Sequence, residues 1–460
     1  MRNTAHVPLT ERVGYAFGDV ASNLFFQTFM YFLVFFYTDV FGISAGVVGT
    51  MMLLTRIWDA VNDPIMGTLA DRTKTRWGKF RPYLVWFAIP FGVVGVLVFL
   101  APDFSLTGKI VYAYITYTAM MMIYTAINVP YSALMGVISP NAMERTVISS
   151  FRFVGAFTGG LIVQAAVPTI VKSFGEGNEA IGYRTVMIGV SALAVILFFI
   201  TFFTTKERVA PPKEQKTEFL RDAKELVRNF PWILIACATV MQLTFIAMRN
   251  GVIMYYFKYF VAQDNLVLFS TEIPWAMNSA FMIFGTAFTI LGAISTKFIT
   301  NVLDKGRAYT LLAVLSAVFI GAIIFLSPHQ IEIIFLFQAL ASFAMGPMAV
   351  LQWSIYTDTA DYGEWKFSHR ATGLVMAASL FALKLGLALG GALLGWIMQA
   401  YGFIPNVDQS ALSITGIRMV MSVYPAIGAL AAGVFMIFYP LTNKKMEEIE
   451  VDLDARRQTN

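Results

Sequence analysis

The chain has 460 residues, 57% of them hydrophobic, 15% aromatic and only 13% charged, with a formal net charge of +5 and a mean hydropathy of +0.66. A soluble protein averages about 25% charged residues, so a globular enzyme is excluded and a polytopic membrane protein is expected. The single Cys237 and the scattered His6, His329 and His369 exclude an internal disulfide framework and a zinc cluster. No cofactor is expected, and the basic excess predicts cytoplasmic loops, not nucleic-acid binding.

Apolar runs long enough to cross a ~30 Å hydrocarbon core recur from end to end. They predict about twelve spanning helices, over 13–38, 43–70, 82–101, 109–134, 151–171, 184–204, 233–261, 273–300, 307–328, 331–357, 371–400 and 414–441. Met1 to Pro8 lacks the apolar core of a signal peptide, so the first span is expected to be retained. Cations crowd the stretch Asp71 to Arg81 and the stretch from Lys206 to Arg228, whereas loops near Gly42, Gln263 and Pro328 carry almost none. The positive-inside rule then places both termini in the cytoplasm of an inner membrane. The polar stretch 205–232 splits the spans into an N-terminal bundle, 1–204, and a C-terminal bundle, 233–441, followed by a tail, 442–460. Phe219, Leu220, Leu226 and Val227 predict a short amphipathic helix in that central loop. A faint echo, Gly67-x-x-x-Asp71-Arg72 after span two and Asp304-Lys305-x-Arg307 after span eight, suggests duplication. The fold class expected is an all-α membrane protein of two pseudosymmetric six-helix bundles, a major facilitator fold with its site at the interface.

Ionisable residues inside the spans point to function, because each costs about 2.5–3.5 kcal/mol near the bilayer centre. Span one carries Asp19. Span two carries Asp59 and Asp63 in Arg56-Ile57-Trp58-Asp59-Ala60-Val61-Asn62-Asp63-Pro64, where i, i+4 spacing puts both carboxylates on one helix face. Two carboxylates there require a cation or an ion-pair partner, Arg56 or Lys384 of span eleven. The first reading is a Na⁺, Li⁺ or H⁺ site with oxygens from Asp59, Asn62, Asp63 and Thr125 of span four, with Lys384 competing for the place of the ion.

Span four also offers Tyr124, and Thr125, Asn128 and Ser132 form a polar stripe at i, i+3, i+7. Such a stripe serves helix packing or sugar hydroxyls. Asp19 and Arg152 would add charge-assisted bonds, and Trp58, Tyr124 and Trp353 could stack on a pyranose. Arg249, before Asn250-Gly251 in span seven, reads as a partner to Asp19 or Asp59 or to a substrate carboxylate, with Gly251 expected to interrupt the helix. Asp71, Arg72, Arg145, Asp358, Asp361 and Arg370 are expected to form a cytoplasmic gating network.

With these residues in hand, the chain resembles the glycoside–pentoside–hexuronide:cation symporters, the melibiose permease group of the major facilitator superfamily, over its full length. The resemblance rests on Phe36-Tyr37-Thr38-Asp39, Gly46, Gly49-Thr50, the Arg56 to Pro64 stretch, Arg76-Trp77-Gly78-Lys79-Phe80-Arg81-Pro82, and Asp358-x-x-Asp361-Tyr362-Gly363-Glu364 with Arg370. It implies a cation site at Asp59, Asn62, Asp63 and Thr125 beside Lys384, and sugar contacts from Asp19 and Arg152. Gly18, Asn128 and Ser132 depart from melibiose permease, which has lysine, aspartate and tryptophan there. The departure argues against an α-galactoside, and the greater similarity to the xyloside and glucuronide transporters of the family implies a pentoside, a hexuronide or an oligosaccharide of these. The expected protein is a monomeric sugar symporter embedded in a lipid bilayer, and not an enzyme. The alternatives are a lysolipid carrier on the same scaffold and a non-transporting nutrient receptor.

Overall fold

Lipid offers backbone N–H and C=O groups no partner, so a chain this apolar must satisfy them within helices. The computed structural model describes residues 7–139, 141–208, 224–263, 265–268, 271–367 and 372–459, and these are helical almost throughout. Helix α1 (Leu9–Thr28) continues through π turns to Val40. There follow α2 (Ala45–Arg72), α3 (Arg81–Val98), α4 (Leu106–Ile138), α5 (Ala142–Gly175) and α6 (Glu179–Thr204). The second set is α7 (Phe230–Tyr255), α8 (Met277–Thr300), α9 (Lys305–Ala322), α10 (Ile331–Phe367), α11 (Thr372–Ala400), α12 (Ala411–Met421) and α13 (Val423–Ile437), the last two forming one span. Among the described residues, ten segments are apolar and long enough to cross a membrane. The other two, α1 and α2, carry Asp19, Asp59 and Asp63.

Several expectations shift. Before α8 stands an antiparallel hairpin of β1 (Asn265–Leu268) and β2 (Thr271–Ala276), which takes the first residues of the span expected over 273–300. Gly251 does not interrupt α7, and the irregularity falls later, in π turns at Tyr256–Val261. Arg145, Asp358 and Asp361 lie within long helices and not in loops. Of the amphipathic stretch read in the central loop, the described part, 224–227, is one helical turn. The tail is a helix, α14 (Asn443–Thr459), which buries Met446, Ile449 and Leu453 against the second unit and whose Asp452 accepts from Trp365 Nε1 at 2.9 Å.

The chain divides into two compact units, one of 1–214 with 404–407, the other of 215–403 with 408–460. Within the first, α1 packs on α5, α2 on α4 and α3 on α6; within the second, α7 packs on α11, α8 on α10 and α9 on α13. The pairing is the same six helices on, so the duplication that is only a faint echo in the residues shows plainly in packing. Small residues at four-residue spacing repeat with it. A Cβ on Gly155 would stand 2.6 Å from the Ala16 carbonyl and one on Gly159 2.8 Å from that of Val20; Gly386 and Gly390 meet the Val240 and Thr244 carbonyls at 2.7 and 2.5 Å. Only glycine lets these backbones touch, the usual device for joining helices in lipid.

One end of the first unit is clasped by residues that follow α6. Glu207 accepts the backbone N–H groups of Lys79, Phe80 and Arg81 at 2.8–3.0 Å and so caps α3 from outside. The carboxylate fits because Gly78 has φ +110 and no Cβ, which would lie 2.5 Å from it. Arg208 forks onto Glu11 of α1 at 2.6 and 2.7 Å, a bond that pushes the guanidinium pKa up. The motif Arg76 to Arg81 thus has a structural reason: it is the receptor for Glu207.

Candidate functional site

Both clusters of polar residues in the first unit hang on α4. On α2, Asp59 and Asp63 face α4 together, as their spacing predicts. The Thr125 hydroxyl stands 2.6 Å from Asp59 Oδ1 and 3.2 Å from Asp63 Oδ1. Asp59, Asn62 and Thr125 are buried and Asp63 is half-buried. A hydroxyl has one proton and can donate to one carboxylate at a time. Two carboxylates drawn to one hydroxyl therefore leave negative charge that a proton or a hard monovalent cation would compensate. The buried Asn62 Nδ2 has no hydrogen-bond partner among the described residues. Arg56 is within electrostatic reach of Asp59. Lys384 stands half-buried on α11 of the second unit.

The second cluster joins α1, α4 and α5. Arg152 holds Asp19 with a two-pronged bond, Nε to Oδ2 at 2.7 Å and Nη2 to Oδ1 at 3.1 Å. Tyr131 donates to Asp19 Oδ2 at 2.6 Å, and Tyr15 and Tyr131 exchange hydroxyl-to-carbonyl contacts at 2.7 and 2.6 Å. The guanidinium lies over both rings, 5.5 and 5.0 Å from their centres. Asn128 accepts from Ser22 at 2.8 Å and donates to the Tyr124 carbonyl at 3.0 Å. Tyr124, half-buried and stacked on Phe91, is within electrostatic reach of Asp19, Asp59 and Asp63 at once. Thr125 and Asn128 are one helical turn apart, so the two clusters adjoin.

Other residues read from the sequence lie elsewhere. Ser132 is exposed on α4, and Trp353 is exposed on α10 with its ring on Tyr356. Arg249 is buried in the second unit, donates to Gln338 and lies over the Phe281 ring. Of the expected gating residues, Asp358 is gripped by Lys305 at 2.7 and 2.8 Å within the second unit. Arg145 and Asp361 are half-buried and Arg72 is exposed. The Asp71 side chain and Arg370 lie outside the described residues. Sequence reasoning missed Tyr15, Ser22 and Tyr131. Their signal was present: Tyr15, Asp19 and Ser22 make an i, i+4, i+7 stripe on α1, and Tyr131 follows Asn128 on α4.

Membrane-spanning bundles with carboxylates, an arginine fork and hydroxyls gathered inside define a transporter, and the comparisons with known proteins agree. The chain belongs to the MFS/sugar transport protein family, which matches residues 14–443, and the resemblance to the glycoside–pentoside–hexuronide:cation symporters is borne out. It is 36% identical to a candidate glycoside/cation symporter of Escherichia coli strain K12, YagG, over 98% of this chain and 95% of that one. It is 34% identical to an isoprimeverose transporter of Lactiplantibacillus pentosus over 96% of this chain and 90% of that one. Among solved structures, the inward-open xylose transporter XylE of E. coli superposes with a TM-score of 0.63 at 15% identity, covering 96% of this chain and 98% of that one; this likeness concerns the fold alone. The chain is a multi-pass membrane transporter and not an enzyme.

Proposed function

We propose that the protein imports a glycoside by symport with Na⁺, Li⁺ or H⁺, working by alternating access in a bacterial inner membrane with both termini in the cytoplasm. The observation that carries the reading is the Thr125 hydroxyl held between Asp59 and Asp63, one turn from the polar residues that ring Asp19 and Arg152. Two carboxylates, a hydroxyl and the Asn62 amide offer hard oxygens to one monovalent cation. Its charge offsets the carboxylate pair, steadies α2 against α4, and through α4 sets Tyr124 and Asn128 for the sugar. Arg152, fixed by Asp19, keeps further N–H donors for sugar hydroxyls.

A neutral pentoside, a xyloside or its oligosaccharide, is the preferred substrate over a hexuronide. Arg249, the residue that would hold a carboxylate, is already bonded to Gln338 beneath Phe281, and a relative is named an isoprimeverose transporter. Counterflow in proteoliposomes with a xyloside, a glucuronide and an α-galactoside, each with and without Na⁺, tests this. Na⁺-stimulated exchange of the xyloside is expected. Exchange of the glucuronide alone would return Arg249 to the sugar site, and no sugar exchange under any ion or pH would overturn the reading. In the same assay Thr125→Ala should raise the cation concentration for half-maximal exchange roughly tenfold or more, the worth of a bond to a charged group at about 1.5–3 kcal/mol. Thr125→Ser, which keeps the hydroxyl, should stay near wild type.

A further inference from the structure

In the second unit α7 widens into π turns where α12 packs against it. Tyr256 opens these turns. It is 1% exposed, and its hydroxyl has no hydrogen-bond partner among the described residues. We propose that the Tyr256 hydroxyl and the Arg418 guanidinium of α12 bind a halide ion, chloride, inside the second unit.

A buried donor without an acceptor is costly, and the surroundings say what kind of acceptor fits. Arg418 is within electrostatic reach of the Tyr256 hydroxyl, and Arg249, buried two turns earlier on α7, adds a second positive charge. Among the described residues the Arg418 guanidinium donates to the Ile324 carbonyl and lies 4.8 Å from the centre of the Phe260 ring, and no carboxylate is bonded to it. Arginine carries five N–H donors, so one carbonyl takes only part of its fork. A half-buried cation without a carboxylate, near a buried hydroxyl with a proton to give, makes a place for negative charge.

The same surroundings limit the ligand to a single atom. The Phe260 ring links the two groups: it lies 5.1 Å from the Tyr256 ring and beneath the Arg418 guanidinium, while Phe257 stands 5.6 Å from Tyr256 on its own side. These rings bring no N–H or O–H. A phosphate or carboxylate would carry in oxygens that they leave unsatisfied, whereas a halide accepts from the hydroxyl and the guanidinium and meets the positive edges of the rings. Single π turns within helices recur at functional sites. Bound there, the ion offsets the arginine charge and fastens α12 to the π turns of α7. The inference does not depend on the transported glycoside or on the cation coupled to it.

Thermal unfolding of the purified full-length protein in sodium chloride and in sodium gluconate, at equal Na⁺ and ionic strength, tests it. Holding Na⁺ fixed separates the effect from the cation site. The melting temperature of the wild type should rise saturably with chloride, by roughly 2–4 °C over gluconate, and bromide should replace chloride. Tyr256→Phe keeps the ring and removes a donor without a partner among the described residues. It should unfold no earlier than the wild type in gluconate and should lose the chloride shift. Arg418→Gln should raise the chloride concentration for half the shift at least tenfold. Equal melting temperatures of the wild type in the two salts, a chloride shift that survives in Tyr256→Phe, or a loss of stability in Tyr256→Phe that is the same in both salts, as when water fills the place, would each overturn the proposal.

Discussion

Asp63→Asn is expected to leave glycoside binding measurable while abolishing its stimulation by cation. The amide keeps the shape of the side chain but supplies one oxygen without charge. The site then holds a single carboxylate, to which Thr125 donates at 2.6 Å. One of the two charges that would hold the ion is gone. If cation and sugar are coupled by about 1–3 kcal/mol, the wild type should gain 5–150-fold in glycoside affinity on adding cation, and the variant close to none. Counterflow should survive, since it needs no gradient, while uphill accumulation should collapse. Asp59→Asn should do the same more severely, because Asp59 is fully buried and receives the shorter bond. Unaltered cation stimulation in both variants would remove the site from the mechanism.

The second large effect belongs to Arg152. Removing it strips Asp19 of both prongs of its fork and leaves a carboxylate, 13% exposed, with Tyr131 as its remaining donor. Surface ion pairs contribute about 0–1 kcal/mol and broken buried ones cost about 3–5; this half-screened pair should fall between, enough to lower the melting temperature. Glycoside affinity should suffer more. Each lost bond from a charged donor is worth about 1.5–3 kcal/mol, so Arg152→Ala should weaken binding by roughly tenfold for each hydroxyl it held, or more. Arg152→Lys separates the two roles. It restores the charge beside Asp19 but not the planar fork, so thermal stability should recover while affinity does not. Recovery of both would make Arg152 a charge partner with no part in sugar recognition.

Much of this architecture was legible from residues because lipid makes the rules strict. Spans follow from apolar length, and intramembrane charge is rare enough to be informative, so Asp19, Asp59, Asp63 and Arg152 stood out at once. The i, i+4 spacing of the two aspartates placed them on one face, and the structure sets Thr125 against both. Less legible was everything that depends on which helix faces which. The Gly155/Gly159 and Gly386/Gly390 contacts are ordinary glycines until α5 is laid on α1 and α11 on α7. Tyr15 and Tyr131 could not be singled out from the sequence, because their hydroxyl bonds reach across two helices. Glu207 read as one more charge in a basic loop, since the N–H groups it caps lie more than a hundred residues earlier. Arg249 shows the same limit: a charge in a span suggests a ligand or an ion-pair partner, and only the packing of α7 on α10 shows that Gln338 accepts from it. The hairpin before α8 escaped because a short apolar alternation beside a long apolar run is absorbed into the helix pattern.

The central claim is that a cation held by Asp59, Asp63 and Thr125 and a glycoside held around Asp19 and Arg152 raise each other's affinity. Calorimetric titration of the purified protein with a xyloside across a range of Na⁺ at fixed pH, paired with Na⁺ titration at fixed xyloside, tests it most directly. Reciprocity requires the same factor in both directions, and the predicted result is a rise of at least fivefold in each. Glycoside affinity that is flat across Na⁺, Li⁺ and pH would contradict the account.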